Sequence, residues 1–124
     1  MANLAFFVEK SVSKTYKSGY QIRLKFIISQ DVRDVTLLNS FIDYFNCGNV
    51  LTDSKGMSRF IVRKKSDIAL KIIPFFVKYS LHSSKLADYN DFCKAEKIVE
   101  AHLNKEGLAQ IDSIRSGMNR GRKH

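Results

Sequence analysis

The stretch from residue 20 to residue 28, YQIRLKFII, alternates between apolar and polar side chains. Such alternation is typical of a β-strand with one buried face, because successive side chains of a strand point to opposite sides of the sheet. The polar residues Gln21, Arg23 and Lys25 lie on the solvent-facing side, which is basic because two of them are cations. The buried side takes Tyr20, Ile22, Leu24, Phe26 and Ile28.

Two β-hairpins are predicted from this strand and its neighbours. Residues 6–12 also alternate, and the polar segment KTYKSG between the two runs ends in glycine, as the loop of an antiparallel hairpin often does. A second, shorter hairpin is expected over residues 49–53 and 59–63, on either side of the turn residues SKG. If Phe60 and Val62 face the core, the outward face of its second strand holds Arg59, Ile61 and Arg63.

A helix is predicted after each hairpin. The first has apolar residues at three- and four-residue steps, with Asp31 or Asp34 as its N-cap. Those apolar residues are Val35, Leu38, Phe41, Ile42 and Phe45. The second helix begins at Ser66 or Asp67, and Pro74 is expected to bend it or to restart it, because proline lacks the N–H of a helix interior.

Two further helices are predicted near the end of the chain. One is amphipathic and begins at Ser83; the last is capped by Asn104 and ends at Gly117. The order is ββα ββα followed by helices, which predicts an α+β fold with a four-stranded antiparallel sheet backed by helices. With 124 residues, the chain has the size of one domain, residues 1–124, with a basic tail at 117–124.

Charge and composition narrow the classes of partner. The sequence has 21 Lys+Arg against 12 Asp+Glu, a net charge of +9, which suits nucleic acid or an anionic surface. No apolar run approaches the roughly 18 residues of a membrane span, and we expect no membrane partner. The only cysteines are Cys47 and Cys93, without the spacing of a zinc site or a disulfide framework.

No enzyme site is evident from residue spacing alone. The three histidines are poorly placed as catalytic bases: His82 lies in a polar loop, His102 in a helix and His124 at the terminus. Asp88 and Asp91 stand three apart on one predicted helix, where acids near an N-terminus are ordinarily favourable, so we assign no metal ligand.

The basic hairpin face is the strongest functional signal. Gln21, Arg23 and Lys25 point to the same side, and a two-stranded ribbon fits the major groove of B-DNA, where such side chains bond base edges. The alternative is a solvated sheet face. The DNA hypothesis is favoured by further cations that can contact phosphates, namely Lys14, Lys17, Arg59, Arg63 and Lys64.

Five segments together resemble the LAGLIDADG homing endonucleases of organellar introns. In order they are KTYKSGY (14–20), ISQDVRD (28–34), YFNCG (44–48), IIPFF (72–76) and SGMNRGR (116–122). The resemblance runs from about Phe6 to Arg122. It implies a saddle-shaped antiparallel sheet set on helices, with strands in the major groove of double-stranded DNA.

The resemblance also bears on catalysis. In the family, a signature helix precedes the first strand and ends in an acid that binds the catalytic divalent metal. Residues 1–6, MANLAF, contain no acid, and the first acidic residue is Glu9. The chain therefore resembles the C-terminal half of a two-repeat protein without its signature helix. Mg²⁺ and its acidic ligands are expected only with a second half, either another fragment or a copy of this chain.

Site residues follow from the resemblance at matching positions. The turn LHSSK ends in Lys85, where the family places a basic residue near the scissile phosphate, which implies charge stabilisation during cleavage. The alternative is a solvated lysine in the first turn of a helix. The base-contacting positions correspond to Gln21, Arg23, Lys25, Arg59, Ile61 and Arg63.

Three functions remain open from the sequence. The first is sequence-specific binding of duplex DNA as half of a homing endonuclease. The second is an RNA-binding maturase that helps an intron fold on the same basic surface. The third is an inactive fragment that self-associates or complements another piece. The resemblance implies a mitochondrial location, with the chloroplast as the alternative.

Overall fold

A computed structural model describes residues 2–30, 35–101 and 104–119. The predicted caps Asp31 and Asp34, the histidines His102 and His124, and the end of the basic tail lie outside these residues. The predicted order is confirmed. The elements are β1 (Ala2–Val12), β2 (Tyr20–Gln30), α1 (Val35–Phe45), β3 (Asn49–Thr52), β4 (Ser58–Val62), α2 (Lys65–Asp67), a π-helical turn (Ile68–Ile72), α3 (Ile73–Lys78), α4 (Ser83–Glu100) and α5 (Lys105–Gly117).

The strands form one four-stranded sheet in the order β1-β2-β4-β3. Strand β4 is antiparallel to both of its neighbours, β2 and β3. The chain divides into two compact units: the first comprises Lys25–Tyr79 with the first residues of β1, and the second comprises Phe6–Leu24 and the chain from Ser80 onward. The organisation of residues 1–124 as a single domain stays a prediction.

Aromatic rings fill the core of the first unit. Phe60 of β4 is fully buried, and its ring stacks on that of Phe45 at the end of α1, with centroids 5.8 Å apart and planes 20° apart. Gly48 lies directly beside this ring at φ +89°; a Cβ there would stand 2.6 Å from Cε1 of Phe60. The turn between α1 and β3 therefore requires glycine both for its backbone conformation and for its space.

Proline shapes the helical segment of the first unit. Pro74 lies in the first turn of α3, and the turn before it is π-helical, with the N–H of Ile73 bonded to the carbonyl of Ile68. The predicted restart at Pro74 is confirmed to within one residue. The predicted start at Ser66 or Asp67 is corrected: the helix begins at Lys65 because the extended backbone ends at Lys64, without a side-chain cap.

The second unit packs α4 and α5 with most of the first hairpin. Phe6 and Phe92 are fully buried with ring centroids 5.2 Å apart, and Ile111 of α5 is fully buried as well. The predicted cap of α5 is confirmed, since Oδ1 of Asn104 accepts from the N–H of Gly107 at 2.7 Å. Within the described ranges, no helix is long and apolar enough to cross a membrane.

Candidate nucleic-acid interface

The polar side of the first hairpin is open to solvent. Arg23 is exposed while the next residue, Leu24, is buried, as the alternation predicted. Nη2 of Arg23 donates to Oε1 of Gln21 at 3.3 Å. These two side chains therefore lie on one face and are long enough to reach a partner above the strand.

The loop of the first hairpin carries two exposed lysines, Lys14 and Lys17. Its backbone is closed by two hydrogen bonds: the N–H of Ser13 donates to the carbonyl of Gly19, and the N–H of Gly19 donates to the carbonyl of Tyr16, both at 2.9 Å. The lysines thus project from a hydrogen-bonded turn, where they are accessible to the phosphates of a nucleic acid.

One cation of the first hairpin faces the other way. Nζ of Lys10 lies 3.1 Å from both carboxylate oxygens of Asp112 on α5 and 4.2 Å from the ring centroid of Tyr20. Lys10 therefore binds the protein's own helix. Charge counting along the sequence does not distinguish it from Lys14 or Lys17.

The second hairpin places Arg59 on the outward side of β4. Its cross-strand partners are Ser29 of β2 and Leu51 of β3. Strand alternation puts Lys25 on the same side of β2 as Ser29, because the two residues are four apart. Arg63 and Lys64 follow the end of β4, and both are exposed.

An aspartate in the turn of the second hairpin binds Arg59. Nη1 of Arg59 lies 3.1 Å from Oδ2 of Asp53, while Oδ1 accepts from the backbone N–H groups of Lys55 and Met57 at 2.9 and 3.0 Å. These hydrogen bonds, that from Met57 first and that from Arg59 next, hold the pKa of the Asp53 carboxyl below its ordinary value.

Ile61 is less exposed than Arg59, which lies on the same side of β4. The register puts Ile61 on the same side as Arg59, but its side chain is only 8% exposed. Its cross-strand partners are Ile27 of β2 and Asn49 of β3, so Ile61 is flanked by a side chain on each neighbouring strand. Ile61 offers little surface for a base contact.

Strand β3 contributes outward residues that were not predicted. Asn49 and Leu51 pair with Ile61 and Arg59, and Leu51 is 48% exposed. A groove of about 320 Å³ lies on this part of the first unit; it is lined by Gly48, Asn49, Leu51, Ile61, Val62, Arg63, Lys64 and Asp67. The alternation of β3 is too short to identify these residues without the register of the hairpin.

Lys85 lies in the first turn of α4 and is partly exposed. His82 is the exposed residue that precedes this helix. Asp88 is 3% exposed, and its Oδ1 accepts from the backbone N–H of Asn119 at 3.2 Å, a contact that spacing along α4 did not indicate.

The described residues do not by themselves form a site for a divalent metal. Within residues 2–30, 35–101 and 104–119, no group of three or more His, Cys, Asp or Glu side chains stands close enough to hold an ion. Both cysteines are free thiols, as their spacing predicted, and burial raises the pKa of Cys47 and of Cys93.

The protein has an open antiparallel sheet that is backed by helices and carries cations on the outward side of its strands. These features are those of a protein class that binds nucleic acid with the face of a sheet. A family model described as LAGLIDADG endonuclease matches residues 3–96. The chain belongs to the LAGLIDADG endonuclease family, and the resemblance predicted from the five segments is confirmed.

Curated relatives come from filamentous fungi. The chain is 38% identical over 104 residues to a probable intron-encoded endonuclease 2 of Neurospora crassa, an alignment that covers 82% of this chain and 23% of the relative. It is 33% identical over 107 residues to an uncharacterized 50.9 kDa protein in ND4 intron 1 of Podospora anserina, covering 85% of this chain and 23% of the relative. The chain spans about a quarter of the length of these relatives.

Solved structures share the fold. The meganuclease I-SmaMI, bound to uncleavable DNA, superposes with a TM-score of 0.91 at 41% identity over 97% of this chain and 41% of its own. The homing endonuclease I-TnaI superposes with a TM-score of 0.88 at 34% identity over 96% of this chain and 82% of its own. I-SmaMI has also been solved with cleaved DNA and with its uncleaved target in the presence of calcium ions.

Proposed function

We propose that this chain binds double-stranded DNA in a sequence-specific manner, as a LAGLIDADG half whose strands lie in the major groove. The observation that carries the proposal is the exposed pair on β2: Arg23, bonded to Gln21, stands on the solvent side of a strand whose other side is buried. Arginine and glutamine are the side chains that read guanine and adenine through paired hydrogen bonds. The DNA-bound structures of I-SmaMI support the same partner.

The remaining cations divide by position. Lys14 and Lys17 on the loop, with Arg63 and Lys64 beyond β4, contact phosphates and set the register on the duplex. Lys25 and Arg59 stand on the strands and contact bases. Ile61 contributes apolar contact at most, because it is 8% exposed.

Cleavage requires a second half. The acidic ligands of Mg²⁺ are supplied by a partner fragment or by a second copy of this chain. Lys85 then stabilises negative charge near the scissile phosphate. The position of Lys85 supports this role, since it lies in the first turn of α4 with a partly exposed side chain.

A mitochondrial location is supported by the Podospora anserina relative, whose name places it in ND4 intron 1.

Selection on a randomised duplex pool tests the DNA proposal, with Mg²⁺ present and salt varied. Arg23→Ala is expected to cost about 1–3 kcal/mol of binding and to relax preference at one base pair. Lys17→Ala is expected to weaken binding to all DNA sequences alike. It should also reduce the slope of the logarithm of the binding constant against the logarithm of salt concentration by about 1. Enrichment of a half-site without cut ends supports a DNA-reading half that needs a partner.

Each other outcome contradicts a stated part of the proposal. Cut ends from this chain alone overturn the need for a second half. If Arg23→Ala and Lys17→Ala both lower affinity equally for all sequences, Arg23 does not read a base. Better competition by structured RNA than by duplex DNA favours the maturase function. Strands in a major groove would not explain such a result, because the major groove of A-form RNA is too narrow for a strand ribbon. A discrete dimer with no nucleic-acid affinity at about 50 mM salt favours a complementing fragment.

A further inference from the structure

Arg59 differs from the neighbouring arginine on the same hairpin. The Arg59 side chain is 39% exposed and is bound through Nη1 to Asp53 at 3.1 Å. Arg63 is exposed, and within the described part of the chain it forms no hydrogen bond or ion pair. One guanidinium is therefore held in a defined orientation at the surface, and the other is not.

Asp53 is itself fixed by the backbone of the turn. Its Oδ1 accepts two backbone N–H groups, its own N–H donates to the carbonyl of Met57 at 2.9 Å, and its carbonyl accepts from Gly56 at 3.1 Å. Gly56 has φ +83°, which a glycine adopts without strain. The carboxylate thus links the Arg59 guanidinium to the backbone of the turn.

We propose that Arg59 reads a guanine and that Asp53 is the positioning residue that orients it. This inference rests on the proposed function and names one base of the half-site. A guanidinium has five N–H donors, and Asp53 engages one of its terminal nitrogens. The other donors remain for two acceptors side by side, which O6 and N7 of guanine present in the major groove.

The charge of Asp53 distinguishes a base contact from a phosphate contact. A carboxylate 3.1 Å from the guanidinium offsets its positive charge and repels an incoming phosphate, but it leaves the neutral edge of guanine accessible. Arg59 also lies on the outward side of a central strand, opposite Ser29 and Leu51, rather than on a loop. Both features favour base reading at this position.

The Asp53→Asn variant tests the orientation of Arg59 while it preserves the fold of the turn. The amide oxygen can still accept from Lys55 and Met57, which preserves the turn, while its NH₂ group cannot accept from Arg59. Asp43→Asn is the matched control, since Asp43 is an exposed acid on α1 that is removed from the hairpin and loses the same charge. Arg59→Ala defines complete loss of the contact.

The 124-residue chain and these three variants are compared by selection on the randomised duplex pool, with the base profile as the readout. The unaltered protein and Asp43→Asn are expected to prefer guanine at one position by roughly 5- to 150-fold, the range of a paired arginine contact. Asp53→Asn is expected to lose most of that preference at the same position as Arg59→Ala, with the other positions unchanged.

Three results overturn the inference. An unchanged profile in Asp53→Asn shows that the carboxylate does not orient the arginine. Tighter binding to all sequences in Asp53→Asn but not in Asp43→Asn shows that the ion pair restrains Arg59 from DNA. A uniform loss in Arg59→Ala shows a phosphate contact. Absence of binding by the unaltered protein overturns the proposed function as well, and is distinct from the other three.

Discussion

The two hairpins of the sheet carry similar alternating sequences but are held in place differently. The first has strands of 11 residues and is anchored by helix α5 and the residues just after it. Arg115 of α5 donates to the carbonyl of Val8 at 2.9 Å, and Asn119, beyond the end of α5, donates to that of Phe6 at 2.9 Å. The second has strands of four and five residues and is anchored by Phe60 in the core and by Asp53 in its turn.

The difference follows from the position of each strand. β1 is an edge strand, and its free carbonyls need partners or they invite pairing with another chain. Arg115 of α5 and Asn119, just beyond it, supply these partners. β4 is a central strand with both edges paired, so its stability depends on what its buried face packs against. Cations on the first hairpin therefore depend on α5 for their placement, and those on the second depend on the core and the turn.

The largest effect is expected from the core of the second hairpin. Phe60→Ala removes a fully buried ring that packs on Phe45 and Phe41, and it should lower the free energy of unfolding by about 3–5 kcal/mol. Urea unfolding followed by circular dichroism measures it. Leu51→Ala on the adjacent strand is the control, since its side chain is 48% exposed and the change should stay near 0.5 kcal/mol. Equal losses of unfolding free energy in Phe60→Ala and Leu51→Ala would contradict the view that Phe60 anchors the second hairpin in the core.

A smaller effect is expected from the anchor of the first hairpin. Asn119→Ala removes the hydrogen bond to the carbonyl of Phe6 and should cost about 0.5–1.5 kcal/mol. Faster hydrogen exchange should be confined to the second unit. Ser116→Ala is the control, because its hydroxyl donates only to the carbonyl of Ser113 in the same helix. If exchange in the first unit accelerates to the same extent, the Asn119 hydrogen bond does not act on the first hairpin specifically.

The smallest effect is local and depends on pH. The pKa of Asp53 lies below its ordinary value of 3.8, so its ionised form stabilises the second turn at pH values above that. This contribution is lost as pH falls through the lowered folded-state pKa. The amide resonances of Lys55 and Met57 should report the transition in an acid titration, and Asp53→Asn should abolish it. A midpoint above 3.8 would contradict the hydrogen bonds assigned to this carboxylate.

Several features could be predicted because their causes are local. The alternation from Tyr20 to Ile28 specifies a strand and its two faces, Pro74 interrupts a helix whatever surrounds it, and Asn104 caps a helix through residues three positions away. Family membership could also be predicted, since five ordered segments identify it without any contact information.

Other features of the candidate site could not be predicted. Sequence charge alone ranks Lys10 with Lys14 and Lys17, yet Lys10 binds Asp112, 102 positions away. It places Ile61 with Arg59 on the outward face, yet the neighbouring strands leave Ile61 only 8% exposed. Each of these outcomes depends on which element lies alongside, and that depends on packing rather than on the residue and its neighbours in the chain.

The sequence by itself therefore determined the order of strands and helices, the basic side of each hairpin and the family, because backbone periodicity and side-chain type are encoded residue by residue. Only the tertiary structure decided which cations have a carboxylate partner within the protein and which do not. Arg59 is bound by Asp53 and Lys10 by Asp112, while Lys14 and Lys17 stand exposed. A salt bridge or a buried face exists only when folding brings two separate segments within a few ångströms of each other.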